Sequence, residues 1–302
     1  MRTTIRFPAL ALAAVGLSAA AALDTIGGGA PVRFGHAELA SGVRLRYAEA
    51  GNPAAPPVIM LHGYSDSWYS FSPILPLLES RYRLIAVDQR GHGASDQPES
   101  GYGLRTLAED VVALMNELKI RQATVVGHSM GSLVAQQMGL IAPERIERLV
   151  LVGSGTALGR MNGRDGFVEA VNALTDPVSL EFIREFQVST IHHPVPPAFL
   201  DSVIGESTRL SARVWKSLLA GMIGTAEAEG LATKRIPTLL VWGEHDSVFS
   251  KENRDELAQQ LPDAERIDYE DTGHAVHWER PERFAEDLDE FIRRTPARGG
   301  AR

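Results

Sequence analysis

The chain has 302 residues, 44% of them hydrophobic, enough to bury a sizeable core and to exclude general disorder. A formal net charge of −8, from 30 Lys and Arg against 38 Asp and Glu, argues against a protein that holds nucleic acid by bulk electrostatics. Cysteine is absent, which removes disulfides, thiolate metal sites and a cysteine nucleophile together.

In chain order, Arg2 and Arg6 precede an uncharged, Ala- and Leu-rich run from Phe7 to Leu23, with small residues over Ser18 to Ala22. This three-part layout is that of a secretory signal peptide, so residues 1–23 are expected to be cleaved and the mature chain exported to the periplasm or the medium. No later segment is apolar and long enough to span a bilayer. His36–Leu39 and Val43–Ala48 flank Ser41-Gly42 and read as a hairpin. Six short apolar runs follow: Val58–Leu61, Leu84–Val87, Ala123–Val126, Leu149–Val152, Thr238–Trp242 and Arg266–Tyr269. The first five are nearly continuous hydrophobe, the pattern of strands covered on both faces of a parallel sheet.

Helical spacing separates these runs. Leu104, Leu107, Val111, Leu114, Met115 and Leu118 share one face, Leu133 to Ile141 does so more loosely, and Phe284, Leu288, Phe291 and Ile292 form a last stripe. The alternation predicts an α/β fold with a mostly parallel, doubly wound sheet and an antiparallel start. Between Gly155 and Ile236 lie about eighty residues with no strand pattern, too many for an unstructured loop. Residues 156–235 are therefore read as a mostly helical insert on a core made of 24–155 and 236–294, with 295–302 as a frayed tail.

The strongest chemical signal is Gly127-His128-Ser129-Met130-Gly131, a G-x-S-x-G pattern with a strand before it and a helix after it. Such a turn strains the serine and lifts its hydroxyl off the sheet. It also aims the N–H of Met130, at a helix start, at any negative charge that forms nearby. A serine hydroxyl needs a base, and the base needs an orienting acid. Asp246 follows the Thr238–Trp242 strand and His274 follows the Arg266–Tyr269 strand. In a parallel sheet both lie on the edge that Ser129 occupies. Glu244 and Asp271 compete for the acid, and His245 and His277 for the base; chain order and strand-end placement favour Asp246 and His274. A second N–H for an oxyanion is expected from Tyr64, because Gly63 lets the loop His62–Asp66 turn tightly. Trp68, Tyr69 and Phe71 either line a pocket or form the buried face of the next helix, and Trp68 is the pocket candidate. The pair His192-His193 has no third ligand at metal spacing, so no metal is expected.

Together, Leu61-His62-Gly63, Asp88-Gln89-Arg90-Gly91-His92-Gly93-x-Ser95, the Ser129 pentapeptide, Gly243-Glu244-His245-Asp246 and Gly273-His274 resemble the α/β-hydrolase superfamily over residues 36 to 294. The branch resembled has a short His-Gly-x oxyanion loop and a helical cap. The resemblance implies a serine hydrolase that acts on a small-molecule ester, or a lactone, through an acyl-enzyme and without a cofactor. Haloalkane dehalogenases and epoxide hydrolases of this fold carry an aspartate where Ser129 stands, so neither activity is expected. Carbon–carbon hydrolysis, amide hydrolysis and perhydrolysis use the same triad, and some ligand receptors of the fold retain it.

Overall fold

The computed structural model describes residues 23–24, 32–156, 164–224 and 230–297. Apart from Leu23, the proposed signal segment lies outside the described residues, as does the tail beyond 297.

The sheet has nine strands: β1 (Leu23–Asp24), β2 (Val32–Glu38), β3 (Arg44–Ala50), β4 (Pro57–Leu61), β5 (Arg83–Val87), β6 (Ala123–His128), β7 (Ile146–Val152), β8 (Thr238–Gly243) and β9 (Glu265–Tyr269). Their spatial order is β1-β2-β3-β5-β4-β6-β7-β8-β9. The hairpin of β2 and β3 is antiparallel, and β3 pairs antiparallel with β5; from β5 to β9 every pairing is parallel. The five apolar runs become the central strands because only side chains that tolerate burial on both faces can occupy them. In β4 the alternation is visible residue by residue: Ile59 and Leu61 enter one core, Val58 and Met60 the other. The exposed positions of β9 mark it as the sheet's edge.

The helices are α1 (Leu75–Leu78), α2 (Leu104–Glu117), α3 (Met130–Ile141), α4 (Arg164–Asn172), α5 (Leu180–Ser189), α6 (Pro197–Ser207), α7 (Ala212–Gly224), α8 (Lys251–Gln260), α9 (Val276–Glu279) and α10 (Pro281–Arg294). α2, α3 and α8 bury their stripes on one face of the sheet, and α1, α9 and α10 on the other. Among the described residues the interval between β7 and β8 holds four α-helices, α4 to α7, and no strand. These helices join the larger core through Val171, Ile183, Ile204, Val214 and Trp215, all buried. No helix of the described residues is long and apolar enough to cross a membrane.

β4 is the point where the strand order reverses, with β5 on one side and β6 on the other. The loops that leave β4 and β6 therefore diverge and open a crevice at the sheet's carboxyl edge. The loop after β5 is internally tied and stays out of that crevice. Asp88 accepts hydrogen bonds from the N–H of Trp68 and Ala94 and from Arg46, while Ser95 Oγ donates to the Asp88 carbonyl. Arg90 makes a two-pronged pair with Asp110 of α2, both contacts 2.7 Å, with both side chains less than a tenth exposed. Removing one partner strands a buried charge. Arg90→Ala is expected to lower stability by about 3–5 kcal/mol. Joint replacement, Arg90→Met with Asp110→Leu, is expected to recover most of that in urea unfolding.

Candidate active site

Ser129 sits at the junction of β6 and α3 with φ +51° and ψ −119°, a conformation that side-chain-bearing residues rarely adopt. Its N–H donates to the Val152 carbonyl at 3.0 Å, and its carbonyl accepts from the N–H and hydroxyl of Ser132. The two glycines are required by contact. A Cβ at Gly127 would strike the Gly131 carbonyl, and one at Gly131 would strike the Leu61 carbonyl at the end of β4. Among the described residues the backbone N–H groups of Met130 and Tyr64 donate no hydrogen bond, although both residues are buried. The Tyr64 side chain is held from the other end, its hydroxyl donating to the Trp215 carbonyl at 2.6 Å.

Asp246 and His274 meet. His274 Nδ1 lies 2.9 Å from Asp246 Oδ2, while Asp246 Oδ1 accepts from the N–H groups of Val248 and Phe249. Burial pushes the Asp246 carboxyl up, but the His274 ring, its hydrogen bond and those two N–H groups outweigh it, leaving the pKa below the usual carboxylate value. An ionised acceptor at Oδ2 places the imidazole proton on Nδ1 and leaves Nε2 with its lone pair. Nε2 is buried and takes no hydrogen bond among the described residues. Ser129 and His274 line the same cavity without being hydrogen-bonded to each other. A serine and a bare imidazole on residues that line one cavity, with Tyr64 and its free N–H among the same lining residues, can perform acyl transfer.

Two of the competitors, Asp271 and His277, have other partners. Asp271 meets the exposed His192 and the half-buried His193, at 3.3 and 2.5 Å, a carboxylate that spacing along the chain did not offer them. His277 bonds Ser70 Oγ at 3.1 Å, and burial lowers its pKa to about 3. His62 accepts from the Gln89 N–H and contacts the Gly63 carbonyl, and burial lowers it to about 4. Both act as neutral scaffolding. Trp68, the pocket candidate, does not line the cavity; it packs edge-on to Phe34 and Tyr69 in the core on the other face. Its backbone N–H donates to Asp88 Oδ1 at 2.8 Å.

The cavity walls come instead from Phe167 of α4, Phe186 and Gln187 of α5, Met222 of α7, Val248 and Trp278. Periodicity could mark the aromatics as apolar but not as facing a crevice. Asp66 was in plain view in the loop after β4 and carries no pattern of its own. It is buried, it lines the cavity, and its Oδ1 accepts from Gln187 Nε2 at 3.0 Å. Burial raises its pKa to about 7, against smaller lowering effects of Gln187, His274 and the Gly63 backbone.

A family model for the alpha/beta hydrolase fold matches residues 56–281. The chain is 28% identical over 262 residues to the uncharacterized hydrolase YugF of Bacillus subtilis, covering 83% of this chain and 95% of that protein. Among solved structures it is similar to the esterase RhEst1 from Rhodococcus sp. ECU1013, with 28% identity, a TM-score of 0.74 and 86% of this chain on 98% of that one. A hydrolase from Pseudomonas aeruginosa PA01 gives 26% identity and a TM-score of 0.76, with coverage of 86% and 98%. The chain belongs to the alpha/beta hydrolase fold family and, at that level, is a hydrolase.

The Asp66 carboxyl gives a signed pH dependence of stability. Unfolded, it releases its proton near 3.8; folded, it keeps it to about 7. The folded state thus binds more protons in that window, and this contribution to stability falls as pH rises, by about 1.4 kcal/mol per pH unit. Asp66→Asn removes that slope while keeping an acceptor for Gln187. The stability of the variant relative to the wild type is therefore expected to increase from pH 5 to 7 in urea titrations, on the order of 2–3 kcal/mol in total.

Proposed function

We propose that the protein is a serine hydrolase of small carboxylic esters. The observation that carries this reading is His274, tethered by Asp246 through Nδ1 and presenting a bare, buried Nε2 to the cavity that Ser129 lines. Ser129 attacks the ester carbonyl, and His274 takes the hydroxyl proton. Asp246 keeps the imidazole in the required tautomer and stabilises its protonated form. The N–H groups of Tyr64 and Met130 receive the negative charge of the tetrahedral intermediate. As the intermediate collapses, His274 returns the proton to the departing alcohol, leaving an acyl-enzyme on Ser129. Water, deprotonated by His274, then releases the acid and restores the serine.

The likeness to an esterase of known structure supports ester chemistry over other uses of the same triad. Cavity size supports a small acyl group. The free volume is about 40 Å³, where one water needs roughly 10–15 Å³ on the same measure. Helices α4, α5 and α7 serve in this reading as a cap that closes over the substrate. The arginines and apolar run at the start of the chain support export, to the periplasm or beyond.

A fluorophosphonate is expected to add once, on Ser129, as read by intact mass and peptide mapping. Ser129→Ala is expected to block labelling and lower kcat by about 10⁴-fold or more. A folded wild type that stays unlabelled overturns the mechanism. Among p-nitrophenyl esters, acetate is expected to exceed octanoate in kcat/KM by about tenfold or more, since each extra methylene must displace packed wall.

A further inference from the structure

Asp66 is an ionisable side chain in the cavity that the mechanism does not use. It lies on the loop that also carries Tyr64 and, like Ser129 and His274, lines the cavity. Its side chain is 4% exposed. The titratable groups facing it are His128 from the end of β6, with Nδ1 4.0 Å from Oδ2, and His274 from the loop after β9. From α5 the neighbour is the uncharged Gln187, whose Nε2 also reaches Ser65 Oγ and Ser207 Oγ. Among the described residues no lysine or arginine lines the cavity, so none of these offers a counter-charge to an anionic group on a substrate. The remaining walls include the rings of Phe167, Phe186 and Trp278, whose faces attract cations.

We propose that Asp66 is a specificity-determining residue that selects small esters bearing a hydrogen-bond donor, an ammonium or a hydroxyl, on the carbon beside the scissile carbonyl, and rejects esters with an anion there. This rests on the esterase reading above. The donor satisfies the buried carboxylate. A methyl group in its place leaves the buried carboxylate with the Gln187 hydrogen bond and no further donor from the substrate, and a carboxylate in its place adds repulsion. A buried carboxyl held at the expense of stability, as its raised pKa of about 7 records, is what such selection requires. A small acyl group with its donor on the adjacent carbon also suits the narrow free volume.

The test compares kcat/KM for ethyl propanoate, ethyl lactate, alanine ethyl ester and monoethyl malonate, at one pH near neutrality, on the wild type and Asp66→Asn. Intrinsic reactivity differences among the esters cancel when each ratio to ethyl propanoate is compared between the two proteins. The alanine and lactate ratios are expected to fall by about tenfold or more in the variant, and the malonate ratio to rise. A role confined to holding Gln187 would slow all four esters alike, and ratios unchanged within about twofold overturn the proposal. If the wild type labels with fluorophosphonate yet cleaves none of the four, this specificity is wrong and the nucleophile stands. If it neither labels nor cleaves, the esterase reading itself has failed. Should Asp66→Asn not fold, inhibition of p-nitrophenyl acetate hydrolysis by the wild type decides: ethylammonium is expected to inhibit at lower concentration than ethanesulfonate, and the reverse order overturns the proposal.

Discussion

The site depends on one close approach of backbone to backbone. At the end of β6 the chain turns into α3 with no room for a side chain at either flanking glycine, because Gly131 rests on the Leu61 carbonyl of β4. That contact holds the start of α3, where the N–H of Met130 is free, against the end of β4, whose following loop carries the free N–H of Tyr64. The strained φ of Ser129 follows from the same packing: the hydroxyl is exposed to the crevice because the turn has nowhere else to put it. The strain is held in place by the Val152 and Ser132 hydrogen bonds, which belong to neighbouring strand and helix rather than to the serine's own loop.

What the chain discloses before folding is uneven, for a physical reason. The central strands are legible because burial on both faces demands continuous hydrophobe, and each of Val58–Leu61, Leu84–Val87, Ala123–Val126, Leu149–Val152 and Thr238–Trp242 falls inside an observed strand. Ser129, Asp246 and His274 are legible because each follows a strand end, and a parallel sheet gathers strand ends. Asp66 is not, since one polar residue in a short loop has no period. Its burial comes from α5, more than a hundred residues later in the chain. Trp68 fails in the opposite way. Composition cannot say which side of the backbone a tryptophan takes, and here the ring packs with Phe34 and Tyr69 on the far face.

Four histidines besides His274 are buried and neutral. His62, His92, His128 and His277 are all buried deeply enough that desolvation drives their pKa values down. His128 packs its ring 4.9 Å from that of His274, and its Nε2 donates to the His274 carbonyl at 3.2 Å. A cationic residue at 128 would oppose the positive charge that His274 acquires in the proposed mechanism; a neutral imidazole offers a donor and shape without that cost.

The loop that carries His274 is bound to the inserted helices as firmly as to the sheet. The N–H groups of both His274 and Ala275 donate to the Thr190 carbonyl just past α5. Glu279 gathers the N–H of Gly273 on one oxygen and those of His192 and His193 on the other. Gln187, one turn before Thr190, reaches the Ser65 and Asp66 side chains on the opposite wall. A substrate that entered by lifting the end of α5 would break all of these bonds, displacing the base and the Asp66 loop together. Among the described residues, α4 and α7 bring the apolar side chains of Phe167 and Met222 to the cavity. A route past these two apolar residues would leave those bonds intact.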